Sequence, residues 1–196
     1  AVGVQVYDTP TVVDATTVAH YVQASGSTDS DAGAYVEGDN ALAAGEATSA
    51  IGNGATALAG GAIANGDGAT AVGHNSLADG RAAVALGMNA TASGDRALAL
   101  GNAAKAQGLL SMAIGDNATA ESIGAMAIGT NAVSRNDSAT SIGASSISEG
   151  LYATATGFGA KARKEGATAL GANAFALGDY AVAVGVGAGA RAKNTV

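Results

Sequence analysis

Apolar and polar residues alternate along this chain inside a longer repeat. From Ala41 to Ala192 a glycine returns every fourteen residues, at Gly73, Gly87, Gly101, Gly115, Gly129, Gly143, Gly157, Gly171 and Gly185, with Gly45 and Ala59 carrying the series backwards. A second series falls halfway between, at Gly52, Gly66, Gly80, Gly94, Gly108, Ser122, Asn136, Gly150, Lys164, Gly178 and Ala192. Each series has eleven members and no insertion or deletion. So short and regular a period predicts a solenoid, whose units bury their faces only by stacking on their neighbours.

Positions counted back from each slot separate into two faces. In the first series the residue two before the slot is alanine in ten of eleven units and the residue four before is alanine in ten, with Ser141 and Ser111 the exceptions. Alternate side chains of a strand point to opposite sides, so these positions share one face with the slot itself. The second series repeats the small parity from Ala50 to Ala190, with Ser134 and Ser148 the only other residues. Each coil is therefore expected to hold two short strands that turn methyl groups toward a common, narrow interior. Strands of about five residues with two-residue turns would use all fourteen positions, and the turns hold residues that tolerate positive φ: Asn75, Asn89, Asn117, Asn131, Gly159, Asn173 and Gly187. At roughly 4.8 Å per coil the rod would be on the order of 50 Å long.

The opposite parity is aliphatic on one strand and polar on the other. Leu42, Leu58, Val72, Val84, Leu86, Leu98, Leu100, Met112, Ile114, Met126, Ile128, Ile142, Leu170, Val182 and Val184 form a stripe of fifteen side chains predicted on the outside of the roll. Such a band exceeds the apolar patch a soluble monomer tolerates, so sister chains are expected to cover it, as a cyclic bundle of parallel rods. The second strand carries a polar row. Asp79, Lys105, Gln107, Glu121, Arg135, Glu149, Lys161 and Arg163 are its candidate ligand-facing residues, against the simpler reading of a solvated face.

Composition narrows the picture. Thirty glycines, one proline and 4% aromatics leave only alanine to build a core. The absence of cysteine excludes disulfide staples and thiolate metal sites. Residues 1–80 hold nine acidic side chains and no Lys or Arg, whereas the remainder has nine basic against seven acidic. That asymmetry argues against nucleic acid as a partner of the first half. No apolar run is long enough to span a membrane, no basic-then-apolar leader opens the sequence, and a secreted form would be a mature fragment. Residues 1–40 stand outside the repeat and read as an N-terminal cap with strand character in Val2 to Tyr7, residues 41–192 as the roll, and residues 193–196 as a connection onward.

The strings Ser111-Met112-Ala113-Ile114-Gly115, Ala125-Met126-Ala127-Ile128-Gly129 and Ala83-Val84-Ala85-Leu86-Gly87 resemble the S-V-A-I-G core of the fourteen-residue motif in YadA-like heads of trimeric autotransporter adhesins. The similarity covers about residues 41–192. It implies a left-handed parallel β-roll, a parallel homotrimer, and display on the outer membrane surface of Gram-negative bacteria. It also implies adhesion to collagen, fibronectin, laminin, cells or other bacteria, with no cofactor and no direct membrane insertion by this segment. Thr156 departs from the motif, as do the second-series residues Ser122, Asn136 and Lys164 and the outward Ile63, Leu77, Val133, Ile147 and Phe175.

Other chemistry is thin. His20 and His74 lack a matching cysteine or carboxylate constellation, and Asp29-Ser30-Asp31-Ala32-Gly33 lacks the spacing and closing glutamate of a calcium loop. Asn89-Ala90-Thr91 and Asn117-Ala118-Thr119 match a glycosylation sequon that polar turns produce freely. Two other functions stand beside adhesion: an ice-binding β-solenoid, which would want a regular threonine array on the wet strand, and a purely structural spacer projecting another binding domain. A six-residue-period acyltransferase is excluded by the clean fourteen, and no nucleophile, base or cofactor loop is present.

Overall fold

The computed structural model describes residues 33–196, and the cap expected over residues 1–40 lies outside the described residues up to residue 32. Every described strand is parallel to its neighbours. Three-residue strands, from Leu42–Ala44 to Val182–Val184, stack into an eleven-stranded sheet, and two-residue strands, from Tyr35–Val36 to Gly189–Ala190, stack into a twelve-stranded one. The register is fourteen throughout: Leu98 pairs with Met112, Ala99 with Ala113, Leu100 with Ile114. This is an all-β parallel solenoid of about eleven coils.

The strands are shorter than the five residues expected from the sequence. For the three-residue strands the first-series glycines explain this, because their φ lies near +130°, as at Gly73 and Gly87, and turns the chain as soon as the third strand residue has paired. A turn follows, closed by an N–H three residues on, such as Ser76 to the Gly73 carbonyl at 3.1 Å. All seven turn sites named above adopt positive φ, for instance Asn75 at 55° and Gly159 at 63°.

Strand parity decides what is inside. Ala85, Ala99, Ala113 and Ala127 are fully buried, while their neighbours Leu86, Ile114 and Ile128 are half-exposed on the outer wall. Among the described residues, every buried hydrophobic side chain is an alanine. The buried polar residues are Thr48, Ser76, Ser111, Ser134, Ser141, Ser146 and Ser148. Four of these, Ser134, Ser141, Ser146 and Ser148, occupy two adjacent coils between an alanine block from Ala50 to Ala132 and another from Ala153 to Ala190.

Pairing continues into both flanking segments. Tyr35 pairs with Ser49, so the ladder begins before Ala41, and at the other end Val182 N–H donates to the Thr195 carbonyl at 2.7 Å.

Candidate functional site

Two outer faces are available, one on each sheet. The three-residue sheet displays the aliphatic stripe. Leu58, Val72, Val84, Leu86, Leu98, Met112, Ile114, Met126, Ile128 and Val182 are half-exposed, and Leu42, Leu100, Ile142, Leu170 and Val184 are more exposed still. Because each strand pairs in register with the next, the residues form two columns running the length of the sheet. The columns are interrupted by threonine at Thr56, Thr70, Thr140, Thr154, Thr156 and Thr168.

The two-residue sheet carries the polar row, and all eight candidate residues lie on its outer side. Lys105 and Lys161 sit in strands; Asp79, Gln107, Glu121, Arg135, Glu149 and Arg163 each follow one. The structure joins four of them into a ladder of alternating sign. Arg135 bonds Glu149 and lies 3.9 Å from Glu121, and Arg163 Nε lies 3.6 Å from Glu149 Oε2. Asp79 accepts from Asn65 Nδ2 at 2.8 Å, and Lys161 places its ammonium 5.7 Å from the centre of the Phe175 ring. These charges are partly committed to one another, which lowers what each offers an outside partner.

Three features escaped the sequence reading. The first is a ladder of carboxylates and amides on one turn edge, where Asp67, Asp95 and Asp137 each accept the backbone N–H one coil earlier, from Asn53, Arg81 and Ile123, at 2.9, 2.9 and 3.1 Å. Its signal is legible in retrospect as an Asp or Asn after the second-series slot. The second involves the residues that replace glycine there: Ser122 Oγ donates to the Arg135 carbonyl at 2.7 Å, and Asn136 Nδ2 to that of Glu149. The third is an open depression of about 420 Å³ lined by Arg163, Phe175, Leu177, Gly187, Gly189 and Arg191, formed where Gly189 leaves a strand position without a side chain.

Titration adds little. Tyr180 is raised above the ordinary phenol value by its hydrogen bond to Glu165, then by partial burial and nearby carboxylates, and Tyr35 is raised mainly by the charge of Glu37. Among the described residues no group of three His, Cys, Asp or Glu is placed to hold a metal, and no helix is long and apolar enough to cross a membrane.

A parallel roll with an alanine interior, glycine corners every fourteen residues and an apolar outer column defines a class of repetitive head domain. The family model for the YadA head domain repeat (two copies) matches residues 64–90, 78–104, 92–109, 106–132, 135–160 and 162–194. The chain belongs to the YadA head family. Heads of this family are adhesins rather than enzymes, generally trimeric, and displayed on the Gram-negative outer membrane surface. No curated protein matches the chain.

Proposed function

We propose that this chain is the head of a trimeric surface adhesin, with three copies packed in parallel and their aliphatic stripes on the common axis. One observation carries the reading: the largest side chains of the repeat point away from their own core. Covering the exposed half of an aliphatic side chain is worth roughly 1 kcal/mol, so a stripe of fifteen supplies on the order of 15 kcal/mol per chain before entropic costs. Assembly and folding then become one event.

On that arrangement the two-residue sheets face outward three times over. Their repeated shallow surfaces engage extended matrix proteins such as collagen, fibronectin or laminin, or the surfaces of cells and other bacteria, and gain by multivalency what each contact lacks. The anchored protein would stand on the outer membrane of a Gram-negative bacterium. The threonines of the roll speak against ice binding, since Thr56, Thr70, Thr140, Thr154, Thr156 and Thr168 line the stripe, and the strands of the opposite sheet carry only Thr91 and Thr119, too few for a regular array. The self-paired ladder from Glu121 to Arg163 favours one competing role, a spacer whose outer wall binds nothing.

Light scattering should return three times the 18.4 kDa chain mass, and solid-phase assays over a panel of matrix proteins, cells and abiotic surfaces should show saturable binding. A monomer would refute the seam. A trimer that saturates on no surface would leave the spacer.

A further inference from the structure

A periodic seam has a registry problem. Each coil presents one outward pair to the axis, and most pairs contain at least one large aliphatic residue: Leu98 and Leu100, Met112 and Ile114, Met126 and Ile128 in succession. In the second outward column, aliphatic at every coil from Leu58 to Val184 except Thr156, sliding one chain past its sisters by one coil, roughly 4.8 Å, sets aliphatic groups against aliphatic groups again and forfeits only the end coils. Nothing in such a pattern selects the matched alignment strongly.

One coil breaks the pattern. Thr154 and Thr156 are both half-exposed on the outer wall and form the only strand of the eleven-stranded sheet whose two outward residues are both threonine. Thr156 is flanked in register by Ile142 and Leu170, and Thr154 by Thr140 and Thr168. Two surrounding features fix this level of the roll. Beneath it the interior hydroxyls are bonded to one another, Ser148 to Ser134 at 3.1 Å and Ser141 with Ser146 at 2.8 Å. Across the roll, the ion ladder from Glu121 to Arg163 ties together the coils on either side. Side-chain hydrogen bonds and ion pairs join neighbouring coils here, in addition to the backbone hydrogen bonds that run the length of the roll.

We propose that Thr156 is the register mark of the trimer, the residue that makes three nearly periodic rods align without a shift; Thr154, which meets Thr140 or Thr168 after a one-coil shift, completes the polar pair without marking register. The inference rests on the trimeric reading, since a chain without a seam has no register. In alignment, the three threonine pairs share one layer, where hydroxyls bond across chains or to water held between them. Shifted by one coil, Thr156 of one chain faces Ile142 or Leu170 of the next, and a hydroxyl is shut into an apolar seam without a partner. Single polar positions in coiled coils specify alignment in this way, at a cost in stability.

The test uses the absence of cysteine from the chain. Leu100 and Ile114 are outward neighbours one coil apart, so chains carrying Leu100→Cys are refolded together with chains carrying Ile114→Cys and then oxidised. Every disulfide is necessarily between chains. Aligned trimers give 100–100 and 114–114 products, and a 100–114 product requires a one-coil slip; peptide mass spectrometry counts each. With the natural threonines the slipped product should be about tenfold rarer than the aligned ones. In the T156L background it should rise to comparable abundance, and T156S, which keeps the hydroxyl, should stay low. Equal slipped fractions in all three backgrounds, or abundant slippage with the natural threonines, would overturn the assignment. A chain that stays monomeric by light scattering and forms no disulfide overturns the trimer itself, and is told apart by its mass.

Discussion

Ser134 and Ser148 meet inside the roll: the Ser148 hydroxyl donates to Ser134 Oγ at 3.1 Å, and Ser134 donates in turn to the Ala139 carbonyl at 2.7 Å. Both stand where other coils have alanine, as at Ala106 and Ala120. Ser134→Ala should strand the Ser148 hydroxyl and cost about 1–2 kcal/mol, whereas Ser134→Ala with Ser148→Ala restores an alanine step and should lie near the parent or above it. Urea midpoints at fixed protein concentration read the cycle. Additive losses in the double variant would show that the pair does not act as a unit.

The glycine corners differ among themselves. Gly87 has φ of +134°, and a Cβ there would lie 2.4 Å from the Gly101 carbonyl oxygen; Gly54 has φ of +67° with nothing within 4 Å. Gly87→Ala combines backbone strain with a collision against the next coil and should cost at least about 3 kcal/mol. Gly54→Ala meets only the backbone penalty, about 1 kcal/mol. Thermal unfolding of the two variants should separate them clearly, and equal shifts would mean that the stacked coils yield more readily than the distances imply.

The parity of Ala113 and Ile114 was legible because a fourteen-residue period leaves each side chain only two directions, and a narrow interior admits only the smaller. Turn conformation was legible where Asn or Gly marked it and hidden where they did not. Leu110, Tyr152 and Tyr180 have φ of 58°, 56° and 55° although their side chains give no such signal. Stacking imposes it: each donates its N–H to the carbonyl one coil back, Leu110 to Asp95, Tyr152 to Asp137 and Tyr180 to Glu165, at 3.0, 3.1 and 2.8 Å. Inter-coil hydrogen bonds override local preference there. On the polar row the residue types were readable but their pairing was not, because Arg135 reaches Glu149 only through a register that the sequence implies and the rotamer completes.

Tyr180 crosses above Gly166, where an added Cβ would come 2.5 Å from Tyr180 Cδ1, and donates its phenol to the Glu165 carboxylate. That hydrogen bond is the leading cause of its raised pKa. A raised folded-state value means the contact contributes fully below the unfolded phenol value of about 10 and is lost as pH climbs through the folded one. Ultraviolet titration should therefore show late-ionising phenols, one of which disappears in Tyr180→Phe and ionises earlier in Glu165→Gln, while that of Tyr35 is unchanged. The alkaline fall in stability should be shallower in Tyr180→Phe than in the parent. Identical titration of the parent and Glu165→Gln would refute the contact.

Ile128 and Ile147 distinguish the two outer faces. Both are aliphatic and point away from the alanine core, Ile128 from the three-residue sheet and Ile147 from the two-residue sheet. If the stripe is the seam, Ile128→Asp places three carboxylates around one axis among Ile114, Met126 and Ile142, with no cation in the stripe to pair them. Desolvating unpaired charge costs several kcal/mol per site, so the assembly should dissociate by at least a hundredfold in its association constant. Ile147→Asp stays in water beside Lys161 and should leave the mass unchanged. Light scattering across a dilution series measures both, with circular dichroism confirming that β structure persists where chains remain folded. Dissociation by Ile147→Asp with an intact Ile128→Asp assembly would move the seam to the opposite sheet, and with it the surface left free for ligands.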